Sequence, residues 1–437
     1  MRLLQHSLVT RFNFMANVQQ FDLIISGAGL SGLLTAIGLL NESPELSIAI
    51  VEPFDANSTL SQVPNFDDRC LALSYGSLQL MQHWQIWPQL KPSAWPIKTI
   101  ITSDRGHVGK TIMRADDYQL SAMGYVAAMR NIGAAFEQTL AELQQSLNKQ
   151  VSWFRPDVID AVEQLPDHVK VSLKSNQVLS AKLLVVAEGG QSPTRELLNI
   201  ASQKVKYQQA AVISNIKVSG NPGLEKTLQR QNQTAIQPNA AFERFTTSGP
   251  IAFLPIASNQ YSVVWSVEPE QVDDILALPE DAYCQQLQQA FGFGAGTIVA
   301  SSKAEAYPLS LVKADSMVHN RVALVGNAGH TVHPIAGQGF NLGLRDIAVL
   351  VEQIKQAQLN KQDIGSFELL SEYQHLRQQD IDRITGFTDL LVRSFALKGR
   401  LAAGVRTLGL LTLQKCDGLQ KWLALHFMSS KKYARFD

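Results

Sequence analysis

The sequence predicts an α/β fold in which a mostly parallel sheet is interrupted by a β-rich insert and followed by C-terminal helices. Three observations predict it. A strand, a glycine loop and a helix occupy residues 21–40, and a second strand, turn, glycine loop and helix start occupy residues 321–343. Between them the pattern shifts from alternating strands and helices to β-rich.

The first unit begins with Phe21-Asp22-Leu23-Ile24-Ile25-Ser26, an apolar run short enough for a buried parallel strand, and leads into Gly27-Ala28-Gly29-Leu30-Ser31-Gly32. Leu33, Ala36, Ile37, Leu39 and Leu40 then form the apolar face of a helix. Gly27 permits the tight turn, Gly29 lets backbone approach a pyrophosphate, and Gly32 lets the helix lie on the strand. A second strand, Ser47-Ile48-Ala49-Ile50-Val51, ends in Glu52. That carboxylate falls about 20 residues past the last glycine, where Rossmann-type folds place the acid that accepts from ribose hydroxyls. An acid there disfavours a 2′-phosphate, so the site suits FAD or NAD better than NADP.

The segment 53–64 reads as an exposed loop, and Asp67 to Leu73 as the start of a helix that runs to Met81. Arg69 in that segment has two readings on spacing alone: an ion pair with a neighbouring aspartate, or a contact with cofactor phosphates. Residues 97–114 suggest a hairpin and Met129 to Leu147 a long amphipathic helix. Short strands follow at 151–154, 158–162 and 169–173. A buried strand, Lys182 to Ala187, ends in Glu188-Gly189-Gly190 and returns the chain to the nucleotide-binding sheet. From Lys204 to about Ala306 the pattern is β-rich, the natural place for a substrate domain. Phe242, Phe245, Phe253, Leu254 and Trp265 are expected to form its core or to line an apolar cavity.

The chain re-enters the sheet at Val322 to Val325 and reaches Gly326-Asn327, then Gly337-Gln338-Gly339 and a helix from Asn341 to about Ala357. The exposed N–H groups of this loop and the positive end of the helix dipole would stabilise negative charge on a reduced flavin. The implied division is an extension at 1–20, a discontinuous FAD-binding domain at 21–80, 115–200 and 305–360, a β-rich substrate domain at 81–114 and 201–304, and a basic amphipathic helical region at 361–437. That last region suits an anionic membrane surface, a partner helix, or packing on its own domain.

Composition agrees with a large enzyme. The 437 residues exceed one ordinary core, and 45% of them are hydrophobic. A net charge of zero supplies no field to attract nucleic acid. No segment has the roughly 18 uninterrupted apolar residues of a spanning helix. The three cysteines, Cys70, Cys284 and Cys416, are far apart and odd in number, which fits a reducing, cytoplasmic compartment. No metal-ligand spacing is present, and His330 and His333 read as structural. Residues 1–20 are basic but lack a continuous apolar core, so they read as an extension, or as residues before a start at Met15, rather than as a targeting peptide.

Together these motifs resemble the class A flavoprotein aromatic hydroxylases, the p-hydroxybenzoate hydroxylase-like fold. Ser103 to His107, Asp117 to Leu120, Ala241 to Phe245 with Gly249-Pro250, and His333 to Gly343 are similar in particular to the ubiquinone-biosynthesis hydroxylases, in the branch acting on 2-octaprenyl-6-methoxyphenol. The resemblance runs from about Asp22 to the start of the tail. It implies that Gly27, Gly29 and Gly32 hold the FAD pyrophosphate, Glu52 the adenosine ribose, and Arg69 the phosphate region. It further implies that Gly189 belongs to a turn associated with both FAD and the nicotinamide donor. Gly326 and Asn327 would meet pyrophosphate and ribityl, and Gly337, Gln338, Gly339 and Asn341 the flavin ring. Asn327 and Glu188 stand where most relatives have Asp. The implied reaction is hydroxylation of a polyprenyl phenol with NAD(P)H and O₂ through a flavin hydroperoxide, by an enzyme that is cytoplasmic or peripheral to the inner membrane. Its tail would then meet that membrane or other ubiquinone-biosynthesis proteins. No side chain announces itself as the catalytic base. A sister hydroxylase acting at another ring position, a prenyl reductase and a non-catalytic scaffold are the alternative readings.

Overall fold

The computed structural model describes residues 18–55, 69–105, 110–220, 239–333 and 337–396. Most of the N-terminal extension and of the 53–64 loop, the hairpin tip and the basic tail beyond residue 396 lie outside these residues.

The first sheet is built on parallel strands β1 (Val18–Ser26), β2 (Ile48–Val51), β8 (Ser152–Phe154), β11 (Val178–Val186) and β19 (Val322–Leu324), in the order β19-β11-β1-β2-β8. Strand β18 (Val318–His319) closes one edge, and β9 (Ile159–Gln164) and β10 (Val169–Leu173) add an antiparallel flap to β11. Leu23, Ile24, Ile25, Leu183, Leu184, Val185 and Val322 are fully buried, as strands covered on both faces require. Helices α1 (Leu30–Glu42), α4 (Met129–Ser146), α8 (Gln338–Leu359) and α9 (Phe367–Ala396) contribute to the core around this sheet.

The second sheet is antiparallel except for one pair, in the order β20-β17-β12-β15-β14-β13-β5-β6. Its strands are β5 (Thr99–Asp104), β6 (Lys110–Arg114), β12 (Ser202–Ser219), β13 (Ala240–Thr246), β14 (Gly249–Ala257), β15 (Gln260–Val267), β17 (Glu305–Ala314) and β20 (His330–Thr331), with β16 (Thr297–Ser301) on the end of β12. A small third sheet joins β3 (Cys70–Ser74), β7 (Gly124–Ala128) and β4 (Trp95–Ile97). Shorter helices α2 (Tyr75–His83), α3 (Trp87–Leu90), α5 (Pro193–Leu197), α6 (Val272–Leu276) and α7 (Glu280–Phe291) complete the described elements used below.

Four sequence expectations need correction. Cys70 to Ser74 is a strand, not the first turns of a helix: an apolar run of that length suits either, and pairing of Leu71 with Ala127 decides it. The helix begins at Tyr75, capped by Ser74, whose Oγ accepts the Ser77 N–H. Residues 81–90 pack with the parallel sheet rather than with the insert, because the indole of Trp84 lies against Gly38 of α1. Strand β17 pairs with β12, so the antiparallel sheet extends to Ala314 and the chain re-enters the first sheet only at β18 and β19. The β-rich insert also carries helix α7, whose Tyr283, Leu287 and Phe291 are buried against one sheet face.

Alternation splits the aromatic set between the two faces of the second sheet. Phe242, Phe253 and Trp265 join the core under α7, where the Phe253 and Phe291 rings stack with centroids 3.7 Å apart. Leu254 and Ala241 face the other way, toward Ala72, Ile97 and Val126 of the small sheet.

The packing of α1 on β1 is the tightest constraint in the first unit. A Cβ on Gly32 would stand 1.9 Å from the carbonyl oxygen of Gly27. Gly32→Ala is therefore expected to destabilise the protein by about 3 kcal/mol or more and to lower its bound flavin content. Urea unfolding with a flavin-to-protein absorbance ratio checks this; unchanged values for both would contradict the packing account.

Candidate cofactor site

The carboxyl ends of the central strands stand in one row. Ser26 pairs with Val51 on one side and with Val186 on the other, and Val186 pairs with Leu324. The Gly27 loop, Glu52, the Glu188 turn and the Gly326 turn therefore emerge along one edge of the sheet, the edge where open α/β sheets bind ligands.

At the α1 end the helix starts at Gly29 without a side-chain cap, so its first N–H groups are available to an anion. Glu52 Oε2 accepts the Ala28 N–H at 2.5 Å and Oε1 the Phe54 N–H at 3.2 Å. Burial pushes the Glu52 carboxyl up, against the lowering effect of these two bonds and of Arg155. A carboxylate has about four acceptor positions, so two remain for ribose hydroxyls. They border a cleft of about 170 Å³ lined by Gly27, Gly29, Glu52, Phe54, Asp157 and Glu188 among others.

Glu188 has a different task from the one its turn suggested. Its oxygens accept from Ser26 Oγ, Ser192 Oγ, Thr194 Oγ1 and the Thr194 N–H at 2.5–3.0 Å. The carboxylate therefore ties the end of β1 to the start of α5, and the longer side chain spans that gap. Beside it, Gly189 has φ +87° and no atom within 4 Å of where a Cβ would stand, so the turn leaves open space. Arg195 is buried and joins this turn to the next, donating to the carbonyls of Gly190 at 3.1 Å and Ala328 at 2.8 Å.

At the other end, Gly326 sits at φ +59°, with the position of a Cβ only 2.5 Å from Ser31 Oγ. Here a positive φ and a close approach both demand glycine. The two glycine units thus meet at Ser31 and Gly326. Asn327 is exposed beside them, its side chain available to a polyol. Gly337 forms the N-terminus of α8 in a left-handed conformation, again without a side-chain cap, and Gln338 and Gly339 begin that helix. Asn341 requires a correction. Its Oδ1 accepts from the Ser74 N–H at 2.9 Å and Ser77 Oγ at 2.7 Å, and its Nδ2 donates to the carbonyls of Ala72 and Gly337 at 2.8 and 2.7 Å. That fills the capacity of an amide, so Asn341 positions the Gly337 turn instead of binding a ring through its side chain. The guanidinium of Arg69 lies 4.7 Å from the Tyr307 ring centroid, at the junction with the second sheet.

Sequence reasoning missed the buried charges behind the turn. Asp346 Oδ2 accepts the Gly326 N–H at 3.0 Å and contacts His330 Nε2 at 2.6 Å, while Oδ1 accepts from Arg377 Nε at 2.7 Å. Asp346, His330 and Arg377 have no solvent exposure. Burial pushes the Asp346 carboxyl up, and His330 and Arg377 overcome it and hold it below its usual range. A signal was present: Arg345 and Asp346 are the only charges between Asn341 and Val351, on a helix otherwise apolar there. His333 is also buried, its Nε2 3.1 Å from Gln209 Oε1, and burial pushes its imidazole down to about 4. Among the described residues no cluster suited to a metal occurs, and no helix is long and apolar enough to cross a membrane.

An uncapped helix start, a half-buried acid with spare acceptor capacity and two abutting glycine turns in one line fit an extended FAD. The fold and site define a dinucleotide-binding flavoprotein. Residues 20–388 match the family described as FAD binding domain. The chain is 30% identical over 411 residues to the ubiquinone hydroxylase UbiL of Rhodospirillum rubrum, covering 94% of this chain and 90% of that protein. It is 25% identical over 409 residues to the 3-demethoxyubiquinol 3-hydroxylase of Escherichia coli, covering 92% and 97%. Its fold matches p-nitrophenol 4-monooxygenase of Pseudomonas putida with a TM-score of 0.70 at 16% identity, covering 94% and 98%. The chain belongs to the FAD-binding family of flavoprotein monooxygenases and is an oxidoreductase.

Two outcomes are expected. Arg377→Met removes one of the two side chains that hold the buried Asp346 carboxylate, and should cost about 3 kcal/mol or more in urea unfolding and weaken FAD retention. Wild-type behaviour in both assays would contradict the coupling. His333 is neutral in the fold, with a value below the roughly 6.5 of an unfolded histidine. The unfolded chain therefore takes up the proton first, and stability attributable to His333 is full above about pH 6.5 and lost as pH falls toward 4. Over that window the unfolding free energy should fall by roughly 3 kcal/mol more in the wild type than in His333→Gln. Parallel pH profiles for the two proteins would refute it.

Proposed function

We propose that the protein hydroxylates the aromatic ring of a polyprenyl phenol of the 2-octaprenyl-6-methoxyphenol type in ubiquinone biosynthesis, with NAD(P)H as electron donor and O₂ as co-substrate. The observation that carries this reading is an apolar cluster packed against the Gly337 turn. Ile97, Val126 and Ala241 form its buried centre, with Ala72, Ile100, Leu254 and Ile256 around them. The Gly337 turn touches it directly, since a Cβ there would lie 3.0 Å from the Cβ of Ala72. Similarity to ubiquinone hydroxylases over nearly the whole chain supports the pathway and the ring chemistry.

FAD, when bound, accepts hydride and activates O₂. Gly27, Gly29 and Gly32 would hold its pyrophosphate, Glu52 its ribose, Gly189, Gly326 and Asn327 the middle of the molecule, and Gly337, Gln338 and Gly339 the ring, with Arg69 near the phosphates. The start of α8, which no side chain caps, would stabilise anionic charge at the ring through its N–H groups and helix dipole. The apolar cluster would keep water from the ring end and contribute contacts to the prenyl chain, whose binding energy would help to fix the ring position.

The test is NAD(P)H oxidation by the FAD-loaded protein with and without a 6-alkyl-2-methoxyphenol. Stimulation of about tenfold, with a product one oxygen atom heavier, is expected; product fragmentation assigns the ring position. Oxidation that the phenol leaves unchanged would remove this reading, and product formed without O₂ would point to a reductase instead.

A further inference from the structure

We propose that His333 is a catalytic residue that accepts the hydrogen bond of the substrate's phenolic O–H through its Nδ1, and that Gln209 and Tyr207 hold the ring for that task. The assignment rests on the phenol-hydroxylase reading and deepens it.

The protonation of the ring follows from its neighbours. Gln209 donates from Nε2 to the carbonyl oxygen of Ser248 at 2.8 Å. A carbonyl can only accept, so the amide nitrogen must face Ser248 and the amide oxygen must face His333. At 3.1 Å from that oxygen, Nε2 of His333 is the N–H, and Nδ1 carries the lone pair. Tyr207 packs edge-on against the imidazole at 5.2 Å and 81°, which fixes the plane of the ring.

The backbone is shaped for this contact. Lys206 pairs with Ser310 and Ala210 with Pro308, so three residues of β12, Tyr207 to Gln209, stand opposite a single residue of β17. Such a bulge re-aims side chains, and here Tyr207 and Gln209 both reach His333. Gly249 leaves room for the Gln209 amide, since a Cβ there would lie 2.7 Å from its Nε2.

Nδ1 itself is buried, in a residue 1% exposed, and has no hydrogen-bond partner. A buried acceptor left unpaired costs about 1–3 kcal/mol. The neighbouring His330 is turned onto Asp346, whereas His333 faces the second sheet in the segment leading to the Gly337 turn. A phenol is the donor that this acceptor lacks. Burial keeps the imidazole neutral, so it can accept at physiological pH. The proton stays on the phenol oxygen in the bound complex, while the hydrogen bond raises electron density in the ring that is to be hydroxylated.

The experiment uses the FAD-loaded full chain, 2-methoxy-6-octylphenol and its O-methyl ether, with binding read from perturbation of the flavin absorption band. The wild type should prefer the phenol by about tenfold or more, because the ether leaves Nδ1 unpaired. His333→Gln keeps an amide at the Nε2 position for Gln209 and removes the Nδ1 acceptor, and should bind phenol and ether alike. His333→Asn places its polar atoms near the Nδ1 position and should retain a preference even if the Gln variant does not fold. No preference in the wild type, an undiminished preference in His333→Gln, or complete loss in a folded His333→Asn overturns the assignment. If the phenol preference depends on His333 but the phenol does not stimulate NAD(P)H oxidation, the hydroxylase reading fails and the acceptor assignment stands.

Discussion

The parallel row Val51–Ser26–Val186–Leu324 is the constraint on which the site depends. Four turns drawn from positions up to three hundred residues apart leave the sheet side by side because these strands end together. Once they do, the spacing between Glu52 and the Gly326 turn is set by strand separation, about 4.8 Å per strand, and not by chain length. Glycine then lets neighbouring turns approach, and neither α1 nor α8 starts with a side-chain cap.

Behind that edge the molecule uses buried charge where an apolar core would have been simpler. Asp346, His330 and Arg377 are all sealed from water, and a group of that kind favours one arrangement because any other leaves a charge uncompensated. Its consequence is directional: the Gly326 N–H points at Asp346, which fixes the orientation of the turn. Tyr373 adds a second tie from α9, donating to the Leu324 carbonyl at 2.7 Å. The end of β19 is thus held from behind by a helix none of whose described residues lines the cleft at Glu52.

The second sheet separates two jobs by alternation. One face packs Phe242, Phe253 and Trp265 under α7 and supplies stability; the other packs smaller apolar side chains on the small third sheet, and Gln209 reaches His333. Of the aromatics expected to form core or to line a cavity, Phe242, Phe253 and Trp265 form core. Facing could not be read from composition, because a strand's two sides differ only by what lies against them. For the same reason the β17 boundary was misplaced by a whole strand: an alternating segment carries no mark of the sheet that it joins.

What the sequence alone determined was local: the strand–glycine–helix units, the acid after β2, the glycines whose conformation or packing allows no side chain, and the family to which these motifs point. These are short-range requirements, written within a few residues of one another. Tertiary structure decided what each polar side chain does. Asn341 and Glu188 looked like ligand contacts and became ties between elements, while Asp346, Arg377, Gln209 and His333 acquired roles through partners that lie 16 to 124 residues away for the bonds described. The physical reason is that a hydrogen bond is defined by distance and direction in space, and neither is encoded by a residue's own neighbours in the chain.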